Sequence, residues 1–272
     1  MKTRVISVAI LLPIVIIIIL IGQWPYALLV SVLTALAAIE YTQMLRRKAY
    51  TLALPCIFAI ILLWIADALW GDGMWLGPGL AGLTLITAGW ILYRRHRHPT
   101  VANPTAEWAL TLAGGMYLGI GGAYLWHMRA LSDGLWWTFT ALPIVWVSES
   151  MAYFVGRKWG RHKMSPTISP GKSWEGYAGE VISGTLTGLL LGWLWPSVAA
   201  GAISLTPVKG LVLGAIISTL TTGGDFFVSV IKREVGVKDT GTLIPGHGGV
   251  FDRIDSPLWV GFVTWAIATL WA

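Results

Sequence analysis

The sequence predicts an all-α, polytopic integral membrane protein with about nine transmembrane helices and a cytoplasmic N-terminus. Three observations predict it. Hydrophobic residues make up 56% of the 272-residue chain and charged residues only 12%, against roughly 25% charged in a soluble domain. The apolar residues are gathered into runs long enough to cross about 30 Å of hydrocarbon as helix, at about 1.5 Å per residue. The basic residues recur between alternate runs, as cytoplasmic loops require.

The chain opens on Lys2 and Arg4, followed by an apolar run over 5–22. A signal peptide would start in the same way, but this run is long and no small-residue cleavage site precedes Trp24 and Pro25, so it reads as a first spanning helix. Further spans are expected over 24–41, 51–70, 76–93, 108–126, 135–155, 177–195, 208–230 and 256–271. With the N-terminus inside, only Arg129 and Lys209 among the 19 Lys and Arg fall on the outer side. A wrong span count would scramble that alternation. The chain therefore reads as one membrane domain over 1–272, with its C-terminus outside, no soluble domain and no disordered tail. The net charge of +6 belongs to this topology and does not point to nucleic acid. The single Cys56 excludes an internal disulfide framework.

Helix packing leaves its own marks. Gly115 and Gly119 are four apart, as are Gly184, Gly188 and Gly192. Small residues at this spacing form one helix face and allow close backbone approach. Packing within the chain is the plain reading, and a homodimer through one of these faces is the alternative. Most of the 17 Trp read as interfacial belt or lipid-facing residues.

The chemistry concentrates in Ser229 to Asp255, SVIKREVGVKDTGTLIPGHGGVFDRID, between two apolar runs. Lys232, Arg233, Lys238 and Arg253 can meet phosphates. Asp239, Asp252 and Asp255, with Asp225 upstream, can meet hard cations, and Gly246, Gly248 and Gly249 let backbone N–H groups approach an anion. The combination points to metal-assisted phosphoryl or nucleotidyl transfer. Asp225 lies within the eighth span, about 9 Å from its inner end if helix continues. A carboxylate at that depth is a functional candidate by default, with an ion pair to a nearby lysine as the plainer reading. Ser229, one turn on, shares its face. If Asp252 opens a turn before the ninth helix, Asp252 and Asp255 face the eighth, and Asp225 with Asp252 forms the core of a cation site. Asp239 reads equally as a further ligand or as a loop ion pair with Lys238. His247 has no second His or Cys at ligand spacing, so it reads as a phosphate hydrogen-bonding or loop-shaping residue.

A second polar stretch, AYFVGRKWGRHKMSPTISPGKSWEG over 152–176, carries Arg157, Lys158, Arg161, Lys163 and Lys172 around Ser165, Ser169 and Ser173. Pro166 and Pro170 break helix there, giving a shaped loop. Lys158 and Arg161 read as topology charges. Ser169, Lys172, Ser173 and the backbone N–H groups can hold a triphosphate. The P-G-K-S run lacks the leading glycine and preceding strand of a P-loop.

The run S-x-x-K-R-x4-K-D-x-G-x2-I-P-G-H-G-G-x-x-D-R-I-D over 229–255 closely resembles the signature of the phosphatidate cytidylyltransferases, or CDP-diacylglycerol synthases, and 152–176 resembles the other cytosolic segment of that family. Together the two stretches cover roughly a fifth of the chain, in the family's order, and a long spaced match is far more specific than a lone glycine motif. The resemblance implies an enzyme of phospholipid biosynthesis in the bacterial inner membrane, its site facing the cytoplasm. It would join CTP to phosphatidate, giving CDP-diacylglycerol and diphosphate. It implies a catalytic Mg²⁺ with a second cation such as K⁺ nearby. On this reading Asp225, Asp252, Lys232 and His247 are catalytic, and Asp225, Asp252, Asp255 and Asp239 are metal ligands. Lys172, Ser169, Ser173, Lys238, Arg253, Gly248 and Gly249 hold the nucleotide. Two positions depart from the family pattern: Glu149, where many members carry Asp, and Val228, where many carry an acid. They leave open a paralogue acting on another lipid phosphate or alcohol. A transporter fits less well, since charges gather at one face and no internal repeat is visible.

Overall fold

A computed structural model describes residues 2–97, 103–199, 203–243 and 248–271, with side chains from residue 9 onward. Among these residues the chain forms nine α-helices and one short β-hairpin, and the all-α polytopic membrane class is what the structure shows. The helices are α1 (Lys2–Ile21), α2 (Gln23–Arg46), α3 (Leu54–Trp70), α4 (Leu76–Arg97), α5 (Pro104–Ala130), α6 (Gly134–Trp159), α7 (Trp174–Val198), α8 (Pro207–Val235) and α9 (Phe251–Leu270). Five of them, α2, α4, α6, α7 and α8, are long and apolar enough to cross a membrane, and Ala9–Ile21 and Leu54–Trp70 are shorter apolar helices.

The nine helices follow the expected order, but several outrun the apolar stretches that announce them. A helix ends where backbone geometry or a breaker stops it, not where hydropathy falls. Thus α4 continues through Arg94, Arg95, His96 and Arg97, cations that suit the negative end of the helix dipole. Helix α8 reaches Val235, which places Asp225 ten residues, about 15 Å, from its end and not the 9 Å expected from the apolar run. Helix α9 starts at Phe251, so Asp252 lies inside its first turn and does not precede the helix. Between α1 and α2 the break is local, at Gly22 with φ +67°, a left-handed conformation that glycine adopts without steric cost.

The chain divides into two compact units: Met1–Trp126 with Glu234–Ile254, and His127–Arg233 with Asp255–Ala272. In the first, Gly115 and Gly119 lie against α3. A Cβ at Gly115 would stand 2.9 Å from Ile60, and one at Gly119 would stand 2.8 Å from Trp64. The loop before α3 is pinned by the buried Glu107. Its carboxylate accepts from the Thr51 N–H at 2.7 Å and from Arg94 at 2.8 Å.

In the second unit, a Cβ added at Gly188 or Gly192 of α7 would overlap the backbone carbonyl of Gly210 or Thr206, and one at Gly184 would overlap the Ser218 side chain. Both glycine faces are thus used for packing within the chain. The Pro-containing segment after α6, expected as a shaped loop, is an antiparallel hairpin of β1 (Lys163–Ser165) and β2 (Ser169–Ser173), with Lys163 opposite Ser173 and Ser165 opposite Ser169. Its base is closed by the Trp174 N–H donating to the His162 carbonyl at 2.9 Å.

Candidate active site

In the second unit the hairpin delivers Lys172 to α8. Lys172 Nζ lies 2.9 Å from Asp225 Oδ2 and 4.8 Å from the centroid of the Phe226 ring. The ion pair weighed from sequence for Asp225 is therefore present, and its partner comes from the other polar stretch. Ser229 donates to Asp225 Oδ1 at 3.1 Å, as expected for one turn along the same face. Lys232 is buried and lies within electrostatic reach of Asp225 and Asp255. Arg233 Nε donates to the Ile168 carbonyl at the hairpin turn, 2.9 Å away. The 152–176 stretch is thus tied to the start of the 229–255 stretch by the Arg233 hydrogen bond and to Asp225, four residues upstream of it, by an ion pair.

Ser173 does a local job here. It is the N-cap of α7, its Oγ accepting from the Gly176 N–H at 3.1 Å, which satisfies one orphan donor of the helix. Glu175 accepts from the backbone N–H groups of Arg161 and His162 at 3.1 and 3.2 Å and pairs with His162 Nδ1 at 2.6 Å, fixing the hairpin entry. Ser169 sits half-buried on β2.

Two further acids converge on this cluster. Glu180 of α7 is buried and accepts from Thr221 at 3.2 Å and Thr222 at 2.8 Å. Glu180 and Glu149 both lie within electrostatic reach of Lys172 and Asp225. Glu149 and Asp255 also interact. The acid absent at position 228 is replaced by a fully buried valine.

The first unit holds the remainder of the signature stretch. Asp252 Oδ2 accepts from the Thr240 N–H at 2.8 Å, the Thr240 hydroxyl at 3.0 Å and the Gly249 N–H at 3.2 Å. Gly248 has φ +82°, and a Cβ there would stand 3.0 Å from Asp252 and 3.5 Å from Asp239. Glycine is required by both conformation and space. Lys238, Asp239 and Arg253 are exposed. His247 lies outside the described residues. Beneath the loop is Glu40 of α2, buried, accepting from the N–H groups of Val250 and Phe251 and from the Thr240 hydroxyl. Asp225 and Asp252, paired in the sequence reading, belong to different units.

Sequence reasoning missed Glu40 and Glu180. The signal was present: both are acids inside expected spans, and the rule that marked Asp225 marks them too. Their partners could not be read, because Thr240 and Val250 lie 200 and 210 residues from Glu40.

Among the described residues no group of three or more His, Cys, Asp or Glu is arranged to enclose a metal ion. Mg²⁺ does not need such a cage; it binds through one or two carboxylates and completes its shell with water and substrate phosphate. Asp225 fits that role, being a hard oxygen donor with 36% of its side chain exposed.

The pattern of the cytidylyltransferase family matches residues 2–271. A phosphatidate cytidylyltransferase of Mycobacterium bovis is 30% identical over 258 residues, covering 89% of this chain and 79% of that one. The protein of that name from Bacillus subtilis is 28% identical over 263 residues, covering 96% and 94%. The one from Staphylococcus haemolyticus is 30% identical over 264 residues, covering 96% of each.

Proposed function

This chain belongs to the cytidylyltransferase family and is a CTP-using nucleotidyltransferase; we propose that it joins CTP to phosphatidate, forming CDP-diacylglycerol and diphosphate. In this reaction a phosphate oxygen of the lipid attacks the α-phosphorus of CTP. The new P–O bond forms as the bond between the α-phosphorus and the bridging oxygen breaks, and diphosphate leaves with that electron pair. A phosphate monoester is already an anion at neutral pH, so the attack needs no strong base.

The observation that carries this reading is the Lys172–Asp225 pair, which brings the 152–176 stretch to the carboxylate just upstream of the 229–255 stretch. Lys172 and the buried Lys232 supply fixed positive charge for the phosphates, preorganised where diphosphate charge develops. Asp225 would hold Mg²⁺, which when bound neutralises phosphate charge. Ser229 orients the Asp225 carboxylate, and Arg233 fixes the hairpin that carries Lys172. We place the N-terminus and both polar stretches on the cytoplasmic side of a bacterial inner membrane. The clustering of Lys and Arg in alternate loops supports that orientation, and the bacterial relatives support the compartment.

The test is a panel of lipid phosphates and alcohols offered with CTP to the purified protein in detergent, with product and diphosphate both measured. Phosphatidate should give the highest kcat/KM. A clear preference for another lipid phosphate, or for an alcohol, would move the assignment to a paralogous reaction and give Val228 a reason.

A further inference from the structure

Glu40 has no part in the chemistry described so far, yet its carboxylate is committed to the loop that leads into α9. It lies on α2, next to Tyr41, and is 6% exposed. Its Oε1 accepts from the Val250 N–H at 3.0 Å, and its Oε2 accepts from the Phe251 N–H at 2.9 Å and the Thr240 hydroxyl at 3.0 Å. These are the amides that open α9, among the donors that have no partner within the helix. The cap here comes from another helix. The local acid, Asp252, is turned instead to Thr240 and Gly249.

Three details show that the loop is shaped around this carboxylate. A Cβ at Gly241 would overlap Glu40 Oε1, and one at Gly249 would overlap Glu40 Oε2. Two glycines of the signature are therefore accounted for by the place Glu40 occupies. Thr240 is shared: its Oγ1 lies 3.0 Å from both Glu40 Oε2 and Asp252 Oδ2. A hydroxyl has one proton, so it bonds fully to one carboxylate and ties the orientation of each to the other. Phe251 is clamped edge-on by Tyr41 and Tyr117, with ring centroids 6.2 and 6.1 Å away.

We propose that Glu40 is a positioning residue for the transfer reaction: through Thr240 and the Val250–Phe251 amides it fixes the Asp252 carboxylate and the first turn of α9. The claim rests on the proposed function and on the role in it that the family resemblance implies for Asp252. A partner that orients a site carboxylate is worth about 10- to 100-fold in metal affinity or activity when removed.

The test compares Glu40→Gln, Glu40→Ala and Thr240→Val with Glu107→Gln in full-length protein. Glu107 is a buried carboxylate of the same unit, engaged with Thr51 and Arg94. Melting temperature, kcat, KM for CTP, half-saturating Mg²⁺ and hydrogen exchange over 248–255 are measured for each. The Glu40 and Thr240 variants should stay folded, exchange faster over 248–255, and shift KM for CTP or half-saturating Mg²⁺ by about tenfold or more. Glu107→Gln should lower the melting temperature alone. The proposal is overturned if exchange over 248–255 is unchanged in Glu40→Ala. It is also overturned if the Glu40 variants melt lower while KM and Mg²⁺ dependence stay at wild-type values, which marks a purely structural carboxylate. Wild-type protein that forms no CDP-lipid from CTP would sink the proposed function, an outcome seen before any variant is assayed.

Discussion

Replacing Lys172 separates a structural from a catalytic role for the hairpin. Its ammonium is 2.9 Å from Asp225, and the two side chains are 23% and 36% exposed. A pair so open to solvent contributes about 1 kcal/mol or less to stability, because screening and side-chain entropy offset most of the Coulomb attraction. Lys172→Ala should therefore lower the melting temperature by only a few degrees. Its effect on turnover should be far larger. CTP brings about four negative charges beside a cluster that already holds Asp225, Glu149, Glu180 and Asp255, so a missing fixed cation is felt in the transition state. We expect Lys172→Ala to lose well over tenfold in kcat/KM for CTP, and Lys172→Arg about tenfold, or about 1.4 kcal/mol. The arginine variant keeps the charge and replaces a compact ammonium by a wide planar fork. The assay is initial-rate diphosphate release at varied CTP, with melting followed on the same preparations. Wild-type kcat/KM in a folded Lys172→Ala protein would refute the reasoning and remove Lys172 from the site.

Asp225→Asn and Asp252→Asn should each abolish turnover while the protein remains folded in the membrane. Near-normal rates at saturating Mg²⁺ in either variant would withdraw that residue from the chemistry. Gly188→Ala should destabilise the α7–α8 packing by about 1–3 kcal/mol, because the new methyl would overlap the Gly210 carbonyl, which belongs to backbone and cannot swing aside; an unchanged melting temperature would contradict that packing. In protein with Cys56 replaced by Ser, single cysteines beside Lys172 and Lys238 should label only from the cytoplasmic side, and one at Asp72 only from outside. Labelling of the first two from opposite sides would break the shared topology.

The class and order of the helices were legible because each long apolar run demands burial in lipid and alternate loops carry the Lys and Arg residues. Helix ends were not, since α8 and α4 continue past their apolar residues into the polar layer. The depth of Asp225 was misjudged for that reason. The hairpin was hidden because its strands are three and five residues long, too short for period-two patterning to emerge. Its form depends on the closure between His162 and Trp174 and on the Arg233 bond to Ile168. Within the site, Asp225 with Ser229 followed from helical spacing alone. Lys172 was placed near phosphate by composition, but its ion pair with Asp225 is tertiary. Glu40 was a visible anomaly in an apolar run whose meaning lay 200 residues downstream.

The most direct measurement follows two labels of CTP through one turnover in purified wild-type protein. With phosphatidate present, ³²P at the α position should appear in the lipid extract as CDP-diacylglycerol. The same isotope at the γ position should appear only as diphosphate in the aqueous phase, and neither product should form without the lipid. Lipid labelled from the γ position would mean phosphoryl transfer, and diphosphate released without lipid would mean hydrolysis; either result would contradict the cytidylyl-transfer account.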